Sequence, residues 1–152
     1  MKRNALLVAA GAALLAIVGP VTVAQALTTP GSIRITDKLV KHIHVDGGVR
    51  GPGAGDLDFY RQLLFNKGIT SDPIGHSDLT CINTGTGSFN CTGTYFLPKG
   101  KIMVGGVLAS KLFYELAVIG GTGIYDNVRG TVTVTYLGGD PAHEFLIFRL
   151  EV

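Results

Sequence analysis

The sequence is poor in the residues on which many enzymes and nucleic-acid-binding proteins depend. It has no tryptophan, only two cysteines and four histidines, and charged residues make up 16% of its 152 positions. The basic residues form no cluster, which argues against a nucleic acid or an anionic membrane as the partner. No nucleophile, catalytic triad or cofactor motif is present, so we expect neither a cofactor nor a metal.

The chain begins with the pattern of a secretory signal peptide. Lys2 and Arg3 precede an apolar run from Ala5 to Val23, and Ala24 to Ala26 then provides a small-x-small cleavage site. Glycines and a proline interrupt the run and no basic stop-transfer cluster follows, which disfavours a transmembrane helix. We expect residues 1–26 to be a cleaved signal peptide, with an uncleaved anchor as the alternative. The mature protein is then secreted, extracellular or periplasmic, and free of the membrane after cleavage.

The remaining residues, 27–152, have the size of a single domain. Removing Lys2 and Arg3 from the 13 basic residues leaves 11, against 11 acidic residues, so the mature chain is formally neutral. A neutral chain of this kind favours a small apolar organic molecule as the partner.

Short β-rich runs separated by glycine, proline and asparagine dominate this domain, a spacing typical of a sandwich or barrel. The second run fits the helical period equally well. The eight runs are Ser32 to Asp46, Asp56 to Asn66, Ile74 to Thr84, Ser88 to Leu97, Lys101 to Ala109, Leu112 to Ile119, Val128 to Leu137 and Ala142 to Val152.

The stretch from Glu115 to Tyr136 is the most informative part of the chain. Its second half alternates strictly from Val128, as a half-buried strand does. Three glycines before it allow a tight corner, because they lack a Cβ. They do not form a dinucleotide loop, since Asp126 stands where the third glycine is required and the chain returns to a β pattern. The corner glycines are Gly120, Gly121 and Gly123.

This corner, which ends in Arg129 and Gly130, resembles the allene oxide cyclase and dirigent families. Gly55-Asp56-Leu57 with Phe59 is similar to the second strand of the cyclases, and Gly68-Ile69-Thr70 to the turn after it. Asp72 to His76 is similar to the dirigent entry into the third strand.

The resemblance spans Gly55 to Tyr136 and carries several implications. It implies an all-β fold, an eight-stranded antiparallel β-barrel of lipocalin-like shape, usually assembled as a trimer. It implies that the interior holds a small apolar molecule and steers its cyclisation or stereoselective coupling without a cofactor, as an isomerase or a dirigent-type protein would. A secreted carrier without turnover and a structural barrel packed solid are the alternatives, and enzymatic activity remains open.

Several runs are apolar on both faces, which also indicates an oligomer. The last run has Leu146, Phe148 and Leu150 on one side and Phe145 and Ile147 on the other. A barrel fills only one face of each strand, so the other face must be covered by a second copy or by a terminal segment.

Cys81 and Cys91 are placed symmetrically about Thr86, the centre of an expected hairpin loop. They therefore face each other across two strands. Export to an oxidising compartment favours a disulfide between them.

His42, His44 and Asp46 alternate at the end of the first run and share one strand face. A solvated face, a polar lining of the barrel mouth and a metal site are the three interpretations, and the last needs a further ligand. We take His44 and Asp46 as candidate catalytic residues and His42 as a candidate ligand-binding residue.

Glu115 is the remaining candidate catalytic residue. It shares a strand face with Phe113, Ala117 and Ile119, and a carboxylate in apolar surroundings has a raised pKa. The alternative is an ion pair with a basic residue of a neighbouring strand. The resemblance places the cyclase family's inner tyrosine at Glu115 and its water-holding amide at Gln62. Candidate ligand-binding residues are Gln62, Phe59 and Phe113, beside His42.

Overall fold

The computed structural model describes residues 31–48, 50–66, 69 and 72–151, and the expected signal peptide lies outside them. Eight antiparallel strands follow one another around a closed barrel, and the first strand pairs with the last. The predicted fold class is confirmed, including the strand in the ambiguous second run. The strands are β1 (Ser32–Val45), β2 (Leu57–Phe65), β3 (Gly75–Asn83), β4 (Phe89–Leu97), β5 (Gly100–Leu108), β6 (Phe113–Gly123), β7 (Arg129–Gly138) and β8 (His143–Glu151).

The two ends of the barrel differ in how they are filled. We call the end that carries the β1–β2, β3–β4, β5–β6 and β7–β8 loops the mouth, and the opposite end the base. Inward side chains fill the base half, where the rings of Tyr95 and Phe148 meet edge to face at 5.1 Å. Fully buried aliphatic residues surround them, namely Ile35, Leu64, Ile102, Val104, Leu116, Val128, Val132, Val134 and Leu146.

A β-bulge in β1 changes which residues face the interior. Leu39 pairs with Gln62 and Lys41 with Arg61, so Val40 is an extra residue without a partner in β2. A one-residue insertion reverses the inward and outward alternation beyond it. The odd-numbered residues of β1 therefore face inward up to Leu39, and the even-numbered ones from His42.

The glycine corner is as tight as its sequence predicts. A Cβ on Gly121 would overlap the carbonyl oxygens of Lys101 and Tyr125, and Gly123 has a φ of 69°. The corner closes over the buried ring of Tyr125, which covers the base. Before the corner, Ile119 is bulged out of the β5–β6 pairing.

The corner ends at Arg129 and Gly130. Arg129 is exposed at the start of β7. Gly130, with a φ of 135°, lies so close to the carbonyl group of Arg149 that a Cβ would not fit.

The predicted disulfide is confirmed. Cys81 of β3 and Cys91 of β4 are directly opposite in register, with their Cα atoms 4.0 Å apart, and are bonded to each other. Both are buried inside the barrel. The loop between the strands is closed by a hydrogen bond of 3.0 Å from the Thr84 amide to the Ser88 carbonyl.

The outer surface carries many large apolar side chains, as the two-sided runs predict. They are Val40, Ile43, Val45, Phe59, Ile82, Met103, Val107, Phe113 and Ile119 on the strands, with Leu112 and Leu137 near the mouth. Oligomerisation through these surfaces stays a prediction. Within the described part of the chain, no helix is of a length and hydrophobicity that would span a bilayer.

Candidate binding cavity

A cavity of about 360 Å³ occupies the mouth half of the barrel. Its walls are mostly apolar, and polar groups lie at its floor and at its rim. The lining residues are Leu39, His42, Tyr60, Gln62, Leu79, Cys81, Phe89, Leu108, Lys111, Leu112, Tyr114, Tyr136, Ala142 and Glu144. The interior is therefore not packed solid, which was one of the alternatives that the sequence left open.

The floor is built around the carboxyl group of Glu144. The Tyr114 hydroxyl and the Gln62 side-chain amide each donate a hydrogen bond to Glu144 Oε2, both at 3.1 Å. The amide is itself oriented, because the buried Ser77 hydroxyl donates to Gln62 Oε1 at 2.7 Å. Burial raises the pKa of Glu144, and the two hydrogen bonds oppose this only in part.

A second carboxyl group, that of Asp37, lies behind Glu144 and away from the cavity. The Glu144 amide donates to Asp37 Oδ1 at 3.1 Å, whereas Oδ2 has no hydrogen-bond partner among the described residues. Burial, and then repulsion from Glu144, raise the pKa of Asp37 to about 8. Asp37 is therefore protonated at neutral pH, and the two carboxyls hold at least one proton between them.

The floor consequently presents a ligand with a carboxyl group whose Oε2 already accepts two hydrogen bonds. Burial raises the pKa of the Tyr114 phenol, so it stays a hydrogen-bond donor throughout the working pH range. Burial raises the pKa of the Glu144 carboxyl as well, so this group binds a proton more strongly than an exposed glutamate does.

The rim near β1 is organised by a shared carboxylate oxygen. Asp58 Oδ1 lies 2.7 Å from His42 Nε2 and 3.0 Å from His44 Nδ1. Burial favours a higher pKa for Asp58, but these hydrogen bonds outweigh it and lower the pKa, while the bond to Asp58 raises the pKa of His44. The His42 ring also stacks on Tyr60 at 4.6 Å, which gives the cavity one flat aromatic wall.

No metal site is formed by this cluster. Across residues 31–48, 50–66, 69 and 72–151, no group of three or more His, Cys, Asp and Glu side chains is arranged to hold a metal ion.

The structure brings only part of the predicted site together. His42 and Gln62 line the cavity, and His44 lies beside them at the rim. Asp46 instead holds the β1–β2 loop, where its carboxylate accepts the amides of Gly48 at 3.3 Å and Gly51 at 3.2 Å. Binding or catalysis by these four residues stays a prediction.

Phe59, Phe113 and Glu115 lie on the outer face, which corrects the direction we expected for them. In β6 the inward residues are Tyr114, Leu116 and Val118, so Glu115 points outward. Its carboxylate accepts a hydrogen bond of 3.3 Å from the Thr133 hydroxyl. None of the three reaches the cavity.

The sequence contained signals for the floor residues that we missed. Glu144 has the same parity as Leu146 and Phe148, which mark the inward face of β8. The resemblance places an inward tyrosine at position 115. The inward tyrosine of β6 is instead Tyr114, one residue earlier. Asp37 has the parity of Ile35, an apolar residue of the same strand.

No protein-family model matches the chain, and no curated protein sequence does either. Solved structures share its fold. A pyocyanin demethylase superposes with a TM-score of 0.68 at 23% identity, over 79% of this chain and 99% of that one. The pterocarpan synthase dirigent protein GePTS1 gives 0.66 at 13%, over 78% and 85%. AbnU, an exo-specific intermolecular Diels-Alderase, gives 0.60 at 16%, over 76% and 96%.

Proposed function

We propose that this protein binds a small, largely apolar organic molecule in the barrel cavity and steers its cyclisation or coupling. Glu144 is the group that donates or accepts a proton. The observation that carries the proposal is the position of this carboxyl, whose pKa is raised, at the floor of an apolar cavity. Tyr114 and Gln62 hold it in place from two other strands.

The physical basis is orientation combined with one acid-base group. A cavity that selects one conformer of a reactive molecule lowers the entropic part of the barrier without covalent chemistry. A buried carboxyl with a raised pKa adds a group that can donate or accept a proton beside the bound molecule. The flat wall formed by His42 and Tyr60 favours a planar, ring-containing ligand.

The similar structures support this class of function. Their names describe a demethylase, a dirigent pterocarpan synthase and a Diels-Alderase, on the fold that this chain shares. Membership of the allene oxide cyclase and dirigent families is part of the proposal, as is assembly into a trimer. Secretion is also proposed, and both the leader pattern and the Cys81–Cys91 disulfide support it.

Glu144→Gln tests the proposal against Glu115→Gln, the same change on the outer face. The probe for binding is 2-naphthol, whose hydroxyl can donate to the floor carboxylate. We expect Glu144→Gln to weaken its binding by at least ~10-fold, the loss of about one charge-assisted hydrogen bond. Glu115→Gln should bind like the wild type. Equal affinity in all three proteins, or no binding, would contradict the proposal.

Turnover is tested separately from binding. The wild-type protein is incubated with a conjugated polyene epoxide, or with a phenol and a one-electron oxidant, and the stereochemical excess of the product is measured by chiral chromatography. We expect an excess that Glu144→Gln lowers and Glu115→Gln leaves unchanged. Binding of 2-naphthol with racemic product from both substrate classes would instead indicate the carrier function.

A further inference from the structure

The cavity carries opposite charge character at its two ends. Its floor holds the Glu144 carboxyl with Asp37 behind it, whereas its rim holds the ammonium group of Lys111 in the β5–β6 loop. Lys111 is the only lysine or arginine among the described residues that line the cavity. A ligand in this space therefore meets an acidic group when deeply seated and a cationic group at the opening.

Lys111 is also free to bind an anion. Within the part of the chain that the structure describes, no carboxylate lies within ion-pair distance of its Nζ. Its one recorded contact is with the face of the Phe89 ring, whose centroid lies 5.0 Å from Nζ. The two imidazoles of β1 at the rim, His42 and His44, are both directed at Asp58. Lys111 therefore has no carboxylate partner among the described residues, and its contact with the Phe89 ring keeps it at the cavity wall.

We infer that the ligand is an amphipathic acid: a planar two-ring body with a hydroxyl group at one end and a carboxylate at the other. This inference rests on the proposed function and names its substrate class. The hydroxyl reaches Glu144, and the carboxylate lies at the mouth beside Lys111. The reverse orientation places two carboxylates together at a buried floor, which like-charge repulsion and desolvation both oppose.

The size of the cavity agrees with such a molecule. About 360 Å³ is near the lower end of the range for small-molecule sites, roughly 300–1,000 Å³. A two-ring body fits within this space. Phe89 and Tyr136 near the opening provide aromatic surface around the upper ring.

The experiment compares 6-hydroxy-2-naphthoic acid with 6-hydroxy-2-naphthamide, its neutral counterpart of equal shape. Affinities are measured by fluorescence titration at neutral pH and low salt for the wild type, Lys111→Gln and Lys101→Gln. Lys101 is the matched control, because its Nζ lies at the same 5.0 Å from a phenylalanine ring, that of Phe96, away from the cavity.

We expect the wild type to bind the acid about three- to tenfold more tightly than the amide, the effect of one partly exposed ion pair. Lys111→Gln should abolish this preference, and Lys101→Gln should retain it. Added salt should weaken binding of the acid and leave binding of the amide unchanged.

Two failures are distinguishable. Equal affinity for acid and amide in the wild type, or a preference that survives in Lys111→Gln, overturns the role of Lys111 and leaves the proposed function standing. If neither probe binds and 2-naphthol does not bind either, the proposed function fails, and the inference fails with it.

Discussion

Replacing Asp37 with asparagine should remove most of the dependence of stability on pH in the neutral range. The Asp37 carboxyl is fully buried, and its pKa is raised from 3.8 to about 8. Asparagine retains an oxygen for the Glu144 amide, so the hydrogen bond between β8 and β1 is preserved. The substitution removes the titratable proton that the Asp37 carboxyl keeps in the folded protein.

The sign of the effect follows from proton linkage. Between about pH 4 and 8 the folded protein keeps the Asp37 proton and the unfolded chain has lost it, so the free energy of unfolding falls as pH rises. Raising the pKa from 3.8 to about 8 corresponds to at most about 6 kcal/mol over the whole range, and to at most about 4 kcal/mol between pH 5 and pH 9, because one pH unit is worth roughly 1.4 kcal/mol. Relaxation around the charged form reduces this, and we expect a loss of about 2–4 kcal/mol between pH 5 and pH 9.

Urea denaturation of the wild type and Asp37→Asn across this range measures the effect. The raised pKa values of His44 and Glu144 also make stability fall as pH rises through each of them, but both groups are present in both proteins and their contributions cancel in the difference. Glu144→Gln serves as a second check: without the neighbouring charge the pKa of Asp37 should fall, so stability begins to level off at a lower pH. A difference between wild type and Asp37→Asn that stays constant from pH 5 to 9 would refute the reasoning.

Three further predictions concern the framework. Gly121→Ala should lower the free energy of unfolding by at least ~2 kcal/mol, because the added Cβ would overlap two carbonyl oxygens. The control is Gly105→Ala, whose Cβ would make only ordinary contacts from 3.6 Å and should change stability by less than ~1 kcal/mol. Thermal melts compare the two variants. Replacing Cys81 and Cys91 together by alanine should lower stability by about 2–3 kcal/mol, and free thiols in the unreduced wild type would contradict the bond. Sedimentation of residues 27–152 should give an oligomer, most simply a trimer, and a monomer at micromolar concentration would count against it.

The fold could be predicted because its signals are local. Alternation within each run and the turn residues between runs fix the number and order of strands. The second run was ambiguous by periodicity alone, and it is a strand because Leu57–Phe65 pairs with a neighbour on each side. Opposed cysteines need only a symmetric hairpin, so Cys81 and Cys91 could also be placed from the sequence.

The choice between Tyr114 and Glu115 as the inward residue of β6 could not be made from the sequence, because it depends on which face of the strand turns inward. In β6 both faces are apolar, with Phe113 and Ile119 on one and Leu116 and Val118 on the other, so hydrophobicity does not choose between Tyr114 and Glu115. The register in which the strands pair decides which face turns inward, and a shift of one residue in that register would turn every inward side chain of the strand outward. The acid that lines the cavity floor is consequently Glu144 and not Glu115.

Bulges add a second source of uncertainty, since they are defined by the partner strand. His42 has the parity of residues that face outward in the first half of β1, and by alternation alone it belongs to the solvent face. The extra residue at Val40 reverses this and turns His42 towards Tyr60 and the cavity. No local feature of Leu39-Val40-Lys41 marks this insertion, which appears only when β1 is aligned with β2.

The acid pair at the cavity floor is formed by the two strands that close the barrel. Asp37 and Glu144 are direct partners in the β1–β8 register, although 107 positions separate them in the chain. Tyr114 of β6 and Gln62 of β2 each donate a hydrogen bond to Glu144 Oε2, so two further strands contact this carboxyl group. Burial is the main cause of the raised pKa of both Asp37 and Glu144, and both are buried only when the first and last strands are paired. A local opening of β8 from β1 should therefore lower the pKa of both carboxyl groups together.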